Sequence, residues 1–418
     1  MFYYKYDGMV LFTEKEMKKD YLEPVGERGA KREGDALYYL SNAPLGKTRK
    51  SFLLNYPDLV DIQNETVDLF DEPVKRDYPD WPKWILEKIK KGLVKSVNTE
   101  YPNWTDCIHP DTNGPYRINL VGLGDVGGTL LTGLRLLGGD VVKSIGIYDP
   151  KPSNKDRWYY ETSQIYGPSG GMPFPEIEKT VEADLFDCDV FVFCASRGVP
   201  PVGDEKKDVR MVQFEGNAAI LSIYAKMARK RGFKGIFAVV SDPVDLLCRK
   251  AWEVSNTDEN GSMDFRGLGT DQIRGYGLGV MHARARFYSL LREETKGYEK
   301  QGRAFGPHGE GLLIANSISS YDEKLSDELT EAAKHANLKI RETGFKPFIA
   351  PALSSGAMSI LATLRGEWHH STHFIGGVFM GSKNRRSIMG IEPERVELPP
   401  SLKKKLYQTY EMLEDLYE

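Results

Sequence analysis

The sequence predicts an α/β protein: a doubly wound parallel sheet followed by an α+β domain, with an N-terminal extension in front. Three observations predict it. Between residues 116 and about 277, short and nearly continuous apolar runs alternate with helix-length segments, the pattern of strands buried on both faces. One of those runs, Ile118–Val121, leads directly into Gly122-Leu123-Gly124-Asp125-Val126-Gly127. The chain ahead of this unit differs in texture, being rich in Tyr, Trp and Pro with only brief apolar runs. Residues 1–112 are therefore read as the extension, 113–277 as the doubly wound domain and 278–418 as the α+β domain.

The glycine turn carries the most chemistry. A helix-like segment, Thr129–Leu137, follows it, and a second apolar run, Val141–Tyr148, ends on Asp149. Gly122 permits the tight turn, Gly124 lets backbone approach a pyrophosphate, and Gly127 lets helix and strand pack closely. The first N–H groups of the helix, at Asp125, Val126 and Gly127, face the phosphates with the positive end of the helix dipole. Asp149 stands 22 residues beyond Gly127, where a carboxylate accepts both hydroxyls of the adenosine ribose. The pattern predicts a Rossmann-type dinucleotide site, against a glycine-rich βα turn with no ligand, and an acid at that strand end favours NAD over NADP.

Further strands are expected at Ser144–Tyr148, Val190–Cys194, Gly235–Val240 and Gly267–Thr270. Helices are expected at Trp158–Tyr166, Met211–Arg231 and Pro243–Val254. In the extension, the spacing of Trp84, Ile85, Ile89 and Val94 predicts an amphipathic helix over Pro82–Val97, and Pro110–Pro115 reads as a turn-rich linker. Its aromatic side chains need a surface to bury, so the extension is expected to pack on the rest of the chain. Beyond 278, helices are expected at Ala283–Glu293, Glu323–Thr343, Leu353–Thr363 and Ser401–Tyr417, with a strand pair near His373–Met380 and Arg385–Gly390.

Bulk properties exclude several classes. A net charge of −4 argues against a nucleic-acid or membrane-surface partner. No apolar run approaches the ~20 residues of a membrane span. The four cysteines, Cys107, Cys188, Cys194 and Cys248, show neither zinc nor disulfide spacing, so a reducing cytoplasm is expected. His369, His370 and His373 have no acid or cysteine at ligand spacing; they are read as a solvent or interface cluster, not a metal site.

Four landmarks follow the glycine turn. Strand Val190–Cys194 runs into Ala195-Ser196-Arg197-Gly198, Arg210 precedes Asn217 by seven residues, Ser241-Asp242-Pro243-Val244-Asp245 ends a strand, and Gly306-Pro307-His308-Gly309 comes last. In this order the chain resembles the lactate and malate dehydrogenase family from Tyr116 to the C-terminus. The resemblance implies that NAD is the cofactor, with Ala195 and Ser196 beside it at the start of a mobile loop. It implies Arg210 as the loop arginine that polarises the reacting carbonyl, Arg284 as the fork for a substrate carboxylate (with Arg286 competing), and His308 as the acid–base. It also implies that Leu353–Met358 lines the substrate pocket, that the substrate is a small 2-hydroxy or 2-oxo acid, and that the protein is a homo-oligomer, dimer or tetramer. The chemistry is coherent. A hydroxyl proton needs a base that titrates near neutrality, the oxygen needs a neighbouring cation, and a guanidinium grips a carboxylate bidentately.

Two positions depart from the family pattern. Met281 stands where the family keeps an aspartate three residues before its arginine, and Asp242 stands where it keeps an asparagine. Either the acid has moved, with Asp242 or Glu310 supporting His308, or the reaction is a different one. Two alternatives are a non-catalytic NAD-binding protein and the related NAD- and metal-dependent glycosidases, whose cysteines this chain replaces with Ser241 and Met281.

Overall fold

The computed structural model describes residues 1–73, 77–109, 114–168, 171, 173–197 and 209–416; the side chains of residues 209–212 lie outside that description. Among these residues the extension forms strands β1 (Phe2–Tyr6), β2 (Met9–Thr13), β3 (Glu23–Pro24), β4 (Leu37–Ser41), β5 (Ser51–Leu53) and β6 (Val94–Asn98), with helices α1 (Glu27–Glu33) and α2 (Lys83–Lys90). The strands make one six-stranded sheet in the order β3-β1-β2-β4-β6-β5. The single helix expected over Pro82–Val97 is instead a short helix and a strand. Gly92, with φ +68°, turns the chain after α2, and Val94 and Val97 enter the sheet fully buried.

Next come β7 (Tyr116–Val121), α3 (Asp125–Leu137), β8 (Val142–Tyr148), α4 (Pro152–Ser163), β9 (Glu176–Lys179), β10 (Val190–Phe193), α5 (Val209–Arg231), β11 (Ile236–Val239), α6 (Val244–Ser255) and β12 (Ile273–Gly275). Strand β9 lacks an apolar run and was not expected. The strand expected at Gly267–Thr270 lies a few residues later, at β12; Gly267 instead packs against the Ser255 carbonyl at the end of α6. The last part contributes α7 (Leu278–Ser289), α8 (Tyr298–Gln301), β13 (Arg303–Phe305), β14 (Leu313–Ala315), α9 (Glu323–Glu342), a π-helical turn at Pro351–Ala357 running into α10 (Met358–Arg365), β15 (His369–Ile375), β16 (Val378–Ser387), β17 (Gly390–Pro393) and α11 (Pro400–Asp415).

One nine-stranded sheet runs β17-β16-β15-β12-β11-β10-β7-β8-β9. It is parallel from β12 to β9 and antiparallel from β15 outward, joined where Gly275 pairs with Thr372. The sheet thus crosses the division expected at residues 277 and 278. Alternation along each strand covers both faces. Val190 and Val192 of β10, with Ile236 and Ala238 of β11, pack with Leu130, Leu134 and Leu361 of α3 and α10. Phe191, Phe193, Phe237 and Val239 point the other way, onto Leu221 and Tyr224 of α5 and Leu247 and Trp252 of α6.

His369, His370 and His373 lie on β15 and are all buried, which corrects the solvent or interface reading. The alternation that makes β15 a central strand buries both of its faces. His369 bonds Thr363 Oγ1 (2.9 Å) and His373 bonds Ser382 Oγ (2.8 Å). Burial holds the His369 imidazole at about 3, below its ordinary range.

The extension is integral to the molecule. Phe12, Tyr39, Phe70, Trp81 and Ile85 share one core with Ile375, Met380, Leu402, Leu406 and Tyr410. Across the same seam Arg49, paired with buried Glu65 (2.8 Å), donates to the Ile391 carbonyl (3.2 Å), and Arg395 pairs with Asp58 (2.8 Å). Leu406→Ala should therefore cost about 2–5 kcal/mol while unfolding stays a single transition. Chemical denaturation followed by tryptophan fluorescence and by circular dichroism checks this. A loss under about 1 kcal/mol, or two separate transitions, would mean that the extension is independent.

Candidate active site

The glycine turn closes between β7 and α3. Gly122 has φ +93°, and a Cβ there would lie 2.5 Å from the Ala195 backbone nitrogen. A Cβ on Gly127 would lie 1.8 Å from the Gly122 carbonyl oxygen. Both glycines are thus required by close approach of backbone. A Cβ on Gly124 would meet nothing within 4 Å, so the turn faces open space there. Gly124 caps α3 without a side-chain hydrogen bond, which leaves the first N–H groups at Asp125, Val126 and Gly127 for a ligand. The Asp149 carboxylate lies beside the turn, accepting from the N–H groups of Leu123 and Lys151 (both 2.9 Å). Trp158 braces the outside: its ring fills the notch left by Gly128, and its indole N–H donates to the Leu123 carbonyl (2.9 Å). This open, uncapped turn with an acid at its side fits a dinucleotide pyrophosphate and ribose.

The loop after β10 lies next to the turn. Ala195 is tied to the end of β11 by the Ser241 hydroxyl, which donates to the Ala195 carbonyl (2.8 Å). The expected active-site loop is described only through Arg197, Ser196 included. Arg210 opens α5, but its side chain lies outside the described residues. Asn217, used in the sequence only as a spacing mark, proves to be a bridge. Its buried amide accepts from the Arg197 N–H (3.0 Å) and donates to the Asp242 carbonyl (2.7 Å), holding the two strand ends together.

His308 faces the end of β11. Its Nδ1 and Asp242 Oδ1 are 2.7 Å apart, and its backbone N–H donates to Asp245 Oδ2 (2.9 Å). The imidazole is largely covered and seated on Gly277, where a Cβ would lie 2.8 Å from the His308 Cβ. Asp245 is buried and also accepts from the Thr372 hydroxyl (2.6 Å); burial pushes its carboxyl up to about 6 despite both hydrogen bonds. Asp245 stood in the strand-end motif but was assigned no role, because nothing in the sequence announces that a carboxylate will hold a backbone N–H 63 residues on.

The two candidates for the missing acid separate cleanly. Asp242 reaches His308, whereas Glu310 is exposed and pairs with Lys334 (3.1 Å). The two candidate arginines separate as well. Arg286 is a surface residue paired with Glu299 (3.0 Å). Arg284 is half-buried beside Met281, and burial pulls its guanidinium below the ordinary range while the charge of Asp242 opposes that pull. His282 faces away from this group, bonded to the Tyr298 hydroxyl (3.0 Å) and stacked on His370. The Leu353–Met358 segment packs on the start of α7 through Ser355, which accepts from the Val280 N–H (2.8 Å) and donates to the Gly277 carbonyl (2.7 Å). Among the described residues, no three His, Cys, Asp or Glu side chains gather as a metal site.

The arrangement joins an open dinucleotide turn to a histidine–carboxylate pair and a half-buried arginine. Residues 116–263 match the family model for the lactate/malate dehydrogenase NAD binding domain. The L-lactate dehydrogenase of Mesomycoplasma hyopneumoniae is 24% identical over 328 residues, covering 70% of this chain and 98% of that protein. The L-lactate dehydrogenase of Halalkalibacterium halodurans is 27% identical, covering 72% and 96%. In fold the chain is similar to the minor L-lactate dehydrogenase of Enterococcus mundtii (TM-score 0.59, 18% identity, 72% of this chain and 96% of that one). It is similar too to the malate dehydrogenase of Archaeoglobus fulgidus solved with NADH (TM-score 0.55, 17% identity, 72% and 97%). Residues 116–263 thus match an NAD-binding domain of this type, and the chain as a whole is similar, at low identity, to lactate and malate dehydrogenases.

Proposed function

We propose that the protein is an NAD-dependent oxidoreductase that interconverts a small 2-hydroxy acid and its 2-oxo acid. The observation that carries this reading is the 2.7 Å contact between His308 and Asp242 at the strand end next to the glycine turn. Bound NAD supplies the hydride acceptor. Asp149 and the α3 N-terminus would hold its ribose and pyrophosphate, and Ala195 and Ser196 would flank it.

His308 takes the hydroxyl proton at Nε2, since Nδ1 is engaged by Asp242. The carboxylate fixes the tautomer and stabilises the imidazolium that forms. Asp245 positions the same residue through its backbone N–H. Arg284 is the candidate grip for the substrate carboxylate, and the family resemblance assigns the reacting oxygen to Arg210. On this reading the family's acid has moved from the α7 wall, where Met281 now sits, to the β11 end. A homo-oligomer in a reducing cytoplasm completes the proposal; the four cysteines are unpaired, as that setting requires.

Three outcomes are expected. First, oxidation of NADH should be seen with at least one small 2-oxo acid. His308→Ala should cut kcat by about 10²–10⁴-fold with NAD affinity unchanged. Asp242→Asn should fall by a similar factor although it installs the family's own residue, and the double change Asp242→Asn with Met281→Asp should recover activity. Full activity in Asp242→Asn alone would refute the moved acid, and no turnover of any 2-oxo acid would leave an NAD-binding protein only.

Second, Asp149→Ala should weaken NAD much more than NADP in fluorescence titration, because the lost carboxylate favours an unphosphorylated ribose. A parent protein that prefers NADP contradicts the assignment.

Third, burial holds the Asp245 carboxyl at about 6, above the ordinary aspartate value of about 3.9, so the folded state keeps a proton that the unfolded state has lost in between. Its contribution to stability therefore falls as pH rises through that window, by up to about 3 kcal/mol. Asp245→Asn should flatten the stability profile between about pH 4 and 6 in denaturant titrations. A profile parallel to that of the parent would show that Asp245 does not titrate there.

A further inference from the structure

A pocket of about 330 Å³ opens at the seam between the extension and the antiparallel end of the large sheet. Tyr116 lines it. That residue begins β7, while Gly122 follows the other end of the strand, so the pocket is separated from the dinucleotide turn by the strand's length. Lys91, Arg365, Arg385 and Arg386 also line it, with Gly366 at the rim, and no carboxylate does so among the described residues.

The acids that belong to these cations stand outside the lining. Asp140 holds Arg365 through Nε (2.8 Å) and Nη2 (2.6 Å), and Glu392 holds Arg385 through Nε (2.6 Å). Those bonds fix the guanidinium planes without using all of their donors. Nη1 of Arg365, both terminal nitrogens of Arg385 and Nζ of Lys91 have no protein acceptor among the described residues. Arg386 donates to the Tyr116 hydroxyl (3.1 Å) and lies over its ring. Arg274, fully buried nearby, has no acceptor for Nε or Nη1, and its charge is felt at Arg386. Arginine and lysine donors held in this way match the oxygens of a phosphate: the guanidinium as a planar fork, the ammonium as a point charge. The volume lies at the lower end of the ~300–1,000 Å³ typical of ligand pockets, enough for a phosphorylated small metabolite and too small for a dinucleotide.

We propose that this pocket is a second ligand site, binding a small metabolite that carries phosphate groups. It is independent of the NAD site and of the proposed reaction. The test is calorimetric titration of inorganic pyrophosphate into the full-length protein already saturated with NAD, so that the glycine turn is occupied. One binding event per chain is expected. Lys91→Gln, an exposed change that leaves the core intact, should weaken it several-fold. Lys91→Gln with Arg385→Gln should weaken it about tenfold or more, with NAD affinity unchanged. Absence of binding, or equal binding by the parent and both variants, overturns the site. Citrate binding as tightly as pyrophosphate overturns the phosphate assignment.

Discussion

A central parallel strand has no face that tolerates water, and most of this molecule follows from that constraint. Because β10 and β11 alternate Val, Ile and Ala with Phe and Val, both faces of the sheet must be covered, and α3 and α10 lie on one side while α5 and α6 lie on the other. Each crossover then returns the chain to the same edge. The ends of β7, β8, β10 and β11 fall together there, carrying Gly122, Asp149, Ala195 and Asp242. The polar side chains at that edge are not scattered by the fold; they lie at the carboxyl ends of the strands, where backbone leaves the sheet and hydrogen-bonding groups come free.

Within that edge, the exchange of Asp242 and Met281 has a simple electrostatic logic. His308 sits between two walls, the β11 end and the start of α7. Asp242, on the β11 wall, serves Nδ1; on the proposed reading a carboxylate on the other wall would do the same. Carboxylates on both would crowd like charges, and one would take up a proton. On the proposed reading, a move of the acid to position 242 makes an apolar residue at 281 the compatible partner. Met281 then serves as packing for Arg284, touching its guanidinium at 3.6 Å.

The fold class, the glycine turn and most of the parallel strands were legible because each rests on a local signal: apolar runs and glycines. The strands that were missed or displaced lack one. Glu176–Lys179 is an edge strand with a single buried residue, and its pairing with β8 supplies what its composition does not. The extension's sheet was equally hidden, since β2, β4 and β6 pair across long gaps in sequence. At the candidate site, the meeting of His308 with Asp242 could be expected because motif and chemistry pointed to the same residues. Asn217 and Asp245 act by bonding backbone far along the chain, and such partners leave no periodic trace.

The core that joins the extension to α11 has a consequence for how the chain must come together. Phe12, Trp81 and Ile85 are covered by Leu402, Leu406 and Tyr410, more than 300 residues downstream. During synthesis the first sheet therefore emerges with its aromatic face bare and keeps it so while the whole dinucleotide domain is made. Contacts of such separation slow folding and prolong the exposure of sticky surface. The core that these residues share can close only when segments more than 300 residues apart have met.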